Sequence, residues 1–282
     1  MKTSIPLFIY LSVVLSGCAF KTIVREKKIN YADAVLASRF GRQELNIFAP
    51  KKRSGPCDVL IFIHGGSWNS GKKSTYNFYG SRMARKGVVV VIIDYPLSPQ
   101  ANYNDMATAA AKSIRWVYQN IGRYGGNPEK IFVSGHSAGG HLAALIAIRH
   151  EYFDSLGIKN PIKGAVLIDA AGLDMYGYLL KEKFPSDHTY FKTFTRNPEE
   201  WKAATPMYHL HQDIPPLLIY RGEKTYPSII ESHEKFIGAL RDFVPDPQYK
   251  ILKRKKHVPM ITQFFKPWNP RYKEIIGFMK ER

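Results

Sequence analysis

The stretch Lys130-Ile-Phe-Val-Ser134-Gly-His-Ser137-Ala-Gly139-Gly-His-Leu142 decides the fold. Its first part, Lys130–Ser134, is a short apolar run of the kind a fully buried strand needs. Its last part opens the helix-like stretch Ala138–Arg149. Between them lies Gly135-His136-Ser137-Ala138-Gly139. Glycines on both sides of the serine remove the Cβ atoms that would clash in a tight strand-to-helix turn. Such a turn lifts the serine oxygen above the strand end, beside the unpaired N–H groups of the helix N-terminus. G-x-S-x-G by itself is a weak pattern. Between a strand and a helix it marks Ser137 as a candidate nucleophile.

Outward from that stretch, the same alternation repeats. Asp58–Ile63, Val88–Ile93, Gly164–Ile168 and Pro216–Tyr220 are apolar runs, Gln43–Phe48 alternates like an early strand, and Gln248–Leu252 is a weaker final one. Helical stretches lie between or after them at Asn104–Arg123, Ser228–Arg241 and Pro270–Lys280. Apolar strands without alternation, separated by helices, predict an α/β fold with a mostly parallel sheet covered on both faces. An antiparallel sandwich would leave one face wet. No internal repeat or low-complexity linker divides the chain, so one domain is expected over residues 43–282.

His64-Gly65-Gly66-Ser67-Trp68 directly follows the Asp58–Ile63 run. Alone it reads as a plain turn. Paired with the serine motif, its glycines would let backbone N–H groups face an oxyanion, where one donor is worth about 2.7–4 kcal/mol. With Asp94-Tyr-Pro-Leu-Ser-Pro99 and Tyr124-Gly-Gly-Asn-Pro128, these motifs resemble the carboxylesterase, feruloyl esterase and kynurenine formamidase branch of the α/β-hydrolases, over roughly Gln43 to Arg282. The resemblance implies an α/β-hydrolase fold and an oxyanion hole from the N–H groups of Gly66, Ser67 and Ala138. It also implies structural roles for His64, His141 and Asp174.

In this fold the order along the chain is serine, acid, histidine. His257, in Lys256-His257-Val-Pro-Met260, follows the last strand and matches the histidine position of the resembled family. His136 only neighbours the serine, His209 and His211 read as a surface pair, and His233 falls inside a helix. The acid departs from the pattern. After the Pro216–Tyr220 strand, relatives carry G-x-x-Asp, whereas this chain has Gly222-Glu223-Lys224-Thr225. Threonine cannot offset the charge of an imidazolium, and losing that carboxylate typically slows a serine protease about 10⁴-fold. Three readings stand open: Glu223 supplies the carboxylate, Asp169 supplies it from the preceding strand, or there is no acid and the protein is slow or a non-catalytic binder.

The expected chemistry is attack by Ser137 on the carbonyl of a small carboxylic ester, with His257 as base and an acyl-enzyme intermediate, without metal or organic cofactor. Arylformamidase activity is the alternative among amide substrates. The stretch Met175–Glu200 carries Tyr176, Tyr178, Phe184, Tyr190, Phe191 and Phe194, too aromatic for an ordinary loop. It reads either as a short lid over the acyl pocket, favouring a small acyl or aryl ester, or as a tether packed on the core.

At the other end, Lys2 and the apolar run Ile5–Leu15 have the form of a signal peptide, too short for a bilayer span. The run ends in Leu15-Ser16-Gly17-Cys18, which resembles the lipobox of bacterial lipoproteins and implies a signal over residues 1–17 and lipid on Cys18. That would place the protein in the bacterial cell envelope, tethered to a membrane by residues 18–42. Cys57 is the one other cysteine and reads as a small buried side chain. A net charge of +18 raises the question of nucleic acid, yet no recognition helix, zinc motif or aromatic RNA-binding signature accompanies it, and none is expected as a partner. Basic residues beside anionic lipid would each gain about 1 kcal/mol.

Overall fold

The computed structural model describes residues 22–282. The Leu15–Cys18 motif lies outside the described residues. Eight strands form one sheet: β1 (Ile23–Asn30), β2 (Glu44–Pro50), β3 (Cys57–Ile63), β4 (Val89–Ile93), β5 (Gly126–His136), β6 (Ile162–Ile168), β7 (Leu217–Gly222) and β8 (Gln248–Leu252). Their order is β1-β2-β4-β3-β5-β6-β7-β8. β2 runs antiparallel to both its neighbours, and every pair from β4 to β8 is parallel.

The α-helices among the described residues are α1 (Ala34–Phe40), α2 (Asn77–Ala84), α3 (Tyr103–Asn120), α4 (Ala138–Ile148), α5 (Glu151–Asp154), α6 (Met175–Lys181), α7 (Thr189–Phe194), α8 (Pro198–Ala203), α9 (Pro227–Leu240), α10 (His257–Thr262) and α11 (Arg271–Lys280). Strand residues of alternate parity serve the two faces of the sheet. Val59, Ile61 and Ile63 meet the layer of α1, α3, α4 and α9, while Leu60 and Phe62 meet α2, α10 and α11. Both sets are buried, which is why β3 to β7 read as continuous apolar runs. Each such Val, Leu, Ile or Phe contributes about 1.5–3 kcal/mol by leaving water.

Local signals set the helix starts. Asn102 caps α3 by accepting from Asp105 N at 2.9 Å, and the Asp105 carboxylate accepts from Asn102 N in return. α9 begins on Pro227, whose missing N–H is no loss in a first turn.

Two expectations need correction. Residues 22–42 are not a tether: β1 pairs along β2, α1 follows, and Tyr31 donates its hydroxyl to the Asp94 carbonyl at 2.6 Å. The strand was hard to read because its side chains are mostly exposed and charged, so no apolar pattern marks it. Cys57, expected to be buried, is half-buried where β3 begins.

Candidate active site

The C-terminal ends of β3, β5, β6, β7 and β8 open toward one edge of the sheet, the usual place for a site in a parallel α/β fold. Ser137 stands between β5 and α4 at φ 57° and ψ −124°, a strained backbone for any residue with a side chain. The glycines explain how the turn closes. A Cβ on Gly135 would lie 2.1 Å from the Gly139 carbonyl oxygen, and one on Gly139 would lie 2.1 Å from that of Ile63. The Ser137 N–H donates to the Ile168 carbonyl, and its own carbonyl accepts from His141 N and Ala171 N.

The Ser137 hydroxyl oxygen is 2.9 Å from Nε2 of His257, the first residue of α10. On the other side of the ring, Nδ1–H donates to Oδ2 of Asp169 at 2.6 Å. Asp169 follows β6 directly and is fully buried. Its Oδ1 accepts from Gly222 N at 2.7 Å, and its Oδ2 also accepts from the Thr225 hydroxyl at 2.5 Å. Burial alone would raise the pKa of this carboxyl. The hydrogen bonds from His257, Gly222 and Thr225, with the charge of His257, outweigh it and hold Asp169 below the ordinary carboxylate range.

Glu223 is not part of this arrangement. It is exposed and its carboxylate accepts from the backbone N–H of Arg254 at 2.7 Å. Of the two carboxylates the sequence left open, only Asp169 reaches His257.

His136 does more than neighbour the serine. Its ring lies 4.6 Å from that of His257 and its Nε2–H donates to the His257 carbonyl at 3.2 Å. Burial, then the charge of His257, push its pKa down to about 3, so the ring stays neutral. No sequence signal beyond adjacency to Ser137 pointed to this contact, which depends on α10 returning over β5.

The His64–Trp68 loop packs against the serine turn: a Cβ on Gly65 would lie 2.7 Å from the His136 carbonyl oxygen and 3.1 Å from the Ser137 Cβ. Gly66 takes φ 137°, Ser67 φ 50° and Trp68 φ 60°, so the loop is held in left-handed backbone. The Gly66 carbonyl is turned into the loop, where it accepts from Asn69 N, Ser70 N and the Ser70 hydroxyl. Gly66 and Ser67 follow Gly65 on this loop, and Ala138 opens α4, whose first N–H groups have no partner within the helix.

Trp68 is buried and donates its indole N–H to Nδ1 of His141, whose Nε2–H donates to the Ala204 carbonyl at 2.7 Å. Burial holds His141 at about 4, neutral, as this relay requires. His64 stacks on Tyr95, and the Tyr95 hydroxyl donates to its carbonyl. Asp174 caps α6 through Gly177 N and pairs with Lys235 at 2.9 Å. His209 and His211 are half-buried, each ring bonded to a backbone carbonyl, not a surface pair.

Met175–Glu200 forms α6, α7 and the start of α8, packed on the core through the buried Leu179 and Phe194. The Trp68 ring meets those of Phe194 and Tyr190 at 5.0 and 5.9 Å. A space of about 30 Å³ lies between Trp68, Gly172, Met175, Tyr178 and Tyr190, with Asp174, Ser228 and Ser232 also on its wall. A hollow of about 220 Å³ is lined by Ser67, His188, Thr189, Tyr190 and Thr193.

Among known proteins, the chain is similar to isoprenylcysteine alpha-carbonyl methylesterase ICME of Arabidopsis thaliana, with 25% identity over 79% of this chain and 55% of that protein. It is also similar to esterase LipQ of Mycobacterium tuberculosis, with 31% identity over 69% of this chain and 47% of that one. The chain thus spans about half the length of these curated relatives. Esterase B from Lactobacillus rhamnosis has the same fold at a TM-score of 0.75 and 19% identity, over 92% of this chain and 87% of its own. The BD-FAE family model matches residues 45–227, a range that holds the Gly66 loop, Ser137, Asp169 and Thr225, and the chain belongs to the BD-FAE family.

Proposed function

We propose that this protein is a carboxylic ester hydrolase in which Ser137, His257 and Asp169 act as nucleophile, base and acid. The observation that carries the reading is the unbroken hydrogen-bonded chain from Ser137 Oγ through both nitrogens of His257 to a buried carboxylate. In this mechanism His257 Nε2 takes the Ser137 proton as Oγ bonds to the ester carbonyl carbon. The carbonyl oxygen becomes an oxyanion facing the N–H groups of Gly66, Ser67 and Ala138. Asp169 keeps the proton on Nδ1, leaving Nε2 free to accept, and offsets the imidazolium charge. The tetrahedral centre then collapses, the C–O bond to the alcohol breaks, and the imidazolium returns its proton to the leaving oxygen. Water, deprotonated by His257, attacks the acyl-enzyme and releases the acid and Ser137.

The esterase names of the relatives support ester over amide substrates. The alternative of a non-catalytic binder arose from Thr225, and the contact of Asp169 with His257 weighs against it. Anchoring through lipid on Cys18 is part of the same proposal and rests on Leu15-Ser16-Gly17-Cys18 alone. Loss of membrane fractionation in Cys18→Ser would support it. Soluble wild-type protein with a different mature N-terminus would end it.

The test of the activity is hydrolysis of p-nitrophenyl acetate together with labelling by a fluorophosphonate probe. Ser137→Ala should abolish both while the folded structure persists. A variant that turns over at the wild-type rate would refute the assignment.

A further inference from the structure

β6 and β7 are parallel neighbours with Ile168 opposite Tyr220, so the loops that follow them open side by side beneath His257. Asp169 comes from the first loop and Thr225 from the second. Thr225 is 8% exposed, with its hydroxyl 2.5 Å from Asp169 Oδ2 and 3.5 Å from His257 Nδ1. Nδ1 already donates its proton to Oδ2. The hydroxyl therefore has one acceptor in good reach for its own proton, the same Oδ2. Asp169 stands on left-handed backbone at φ 49°, and its N–H is spent on the Tyr220 carbonyl. Among the described residues, two contacts besides His257 fix the orientation of its carboxylate: Gly222 N on Oδ1 and the Thr225 hydroxyl on Oδ2. The first comes from rigid strand backbone. The second comes from a side chain at the place where the resembled family carries its acid.

We propose that Thr225 is a positioning residue: its hydroxyl, from the loop after β7, holds Oδ2 of Asp169, the acid supplied after β6, against Nδ1 of His257. The proposal rests on the reading of Asp169 as the triad acid. Without the hydroxyl, Oδ2 keeps one of its two donors, and the carboxylate gains freedom to turn about its Cβ–Cγ bond. The imidazole is then less well held at the angle needed by Ser137. Substrate contacts are untouched, so the loss belongs in kcat.

The experiment compares purified full-chain wild type, Thr225→Val, Thr225→Ser, Thr225→Ala and Asp169→Asn on p-nitrophenyl acetate, with the thermal midpoint of each. Thr225→Val keeps the shape and removes the hydroxyl, and kcat should fall about tenfold, equivalent to about 1.4 kcal/mol, with KM changed less than about twofold. Thr225→Ser restores the donor and should recover most of that loss. If the valine fails to fold, Thr225→Ala, which adds no bulk, is read in the same way. Asp169→Asn separates the two claims. A slow Asp169→Asn beside a Thr225→Val at the wild-type kcat leaves the acid assignment standing and overturns the positioning role. An Asp169→Asn at the wild-type kcat overturns both. A Thr225→Ser as slow as Thr225→Val means that packing by the threonine methyl, not the hydroxyl, accounts for the effect, and this also overturns the proposal.

Discussion

Asp169 shows how a carboxylate is kept ionised in a buried place. It is fully buried, yet three donors reach its two oxygens, so the charged form is stabilised more by these bonds than it is penalised by burial. Asn in its place would keep the size and lose the charge, and its NH₂ group would face donors. Asp169→Asn is expected to reduce kcat by about 10³–10⁴-fold, as loss of the triad carboxylate does elsewhere. Glu223→Gln should change it less than about twofold, because Glu223 accepts only from the Arg254 backbone. Steady-state kinetics of the two variants checks the pair, and a slow Glu223→Gln would contradict the geometry. Gly139 is set by a close approach: a Cβ there would overlap the Ile63 and His64 carbonyl oxygens, at 2.1 and 2.5 Å. Both are backbone atoms that cannot swing aside. Gly139→Ala should therefore destabilise by about 1–3 kcal/mol or more and displace α4 from β3, read as a lowered urea midpoint.

At the scale of elements, the edge formed by β1 and α1 belongs to the domain. β1 covers β2, Asp33 pairs with Lys112 of α3 at 2.8 Å, and Leu36 is buried in the core. A chain starting at Gln43 would expose the backbone of β2, an apolar strand with unpaired donors and acceptors. It is expected to aggregate or to melt about 4 °C or more below the full chain, a shift that a loss of about 2 kcal/mol would bring in a protein of this size. An unchanged midpoint would restore the reading of this segment as a tether. The bonds from Trp68 to His141 to Ala204 join the His64–Trp68 loop, α4 and the end of α8 through one neutral imidazole. His141→Phe leaves a buried N–H and a buried C=O unpaired, each costing about 1–3 kcal/mol. Esterase activity should fall along with stability, since the loop that carries Gly66 and Ser67 loses its anchor.

Among the described residues four histidines are buried with their pKa pushed down, burial being the largest cause in every case: His64, and three with larger shifts, His136 to about 3 and His141 and His233 each to about 4. In the unfolded chain each would titrate at about 6.5. As pH falls below that value the unfolded state takes up protons that the folded state refuses, so stability decreases with falling pH until the folded values are reached. Asp169 acts in the same direction lower down, because its folded pKa lies below its unfolded one and its contribution is lost as pH drops below about 4. From pH 7 to pH 5 the three rings together should cost several kcal/mol, seen as a marked fall in the urea midpoint. Equal midpoints at the two pH values would show that these rings are not buried neutral in solution.

By itself the sequence determined the α/β class and the central parallel strands, and it pointed to Ser137, His257 and the Gly66 loop as candidates. The strands rest on short, continuous apolar runs and the Ser137 turn on glycines where a Cβ would clash, whereas His257 and the role of the Gly66 loop rest on order along the chain and on the family resemblance. Two further features were out of its reach. β1 is exposed and charged, so its membership in the sheet is written in backbone pairing with β2 and not in any side-chain pattern. The choice between Glu223 and Asp169 turned on direction. Glu223 is only two residues before Thr225 but turns out to Arg254, whereas Asp169, far away along the chain, is brought under His257 by the pairing of β6 with β7. Which carboxylate meets an imidazole depends on how two neighbouring strand ends aim their loops, and that only the tertiary structure decided.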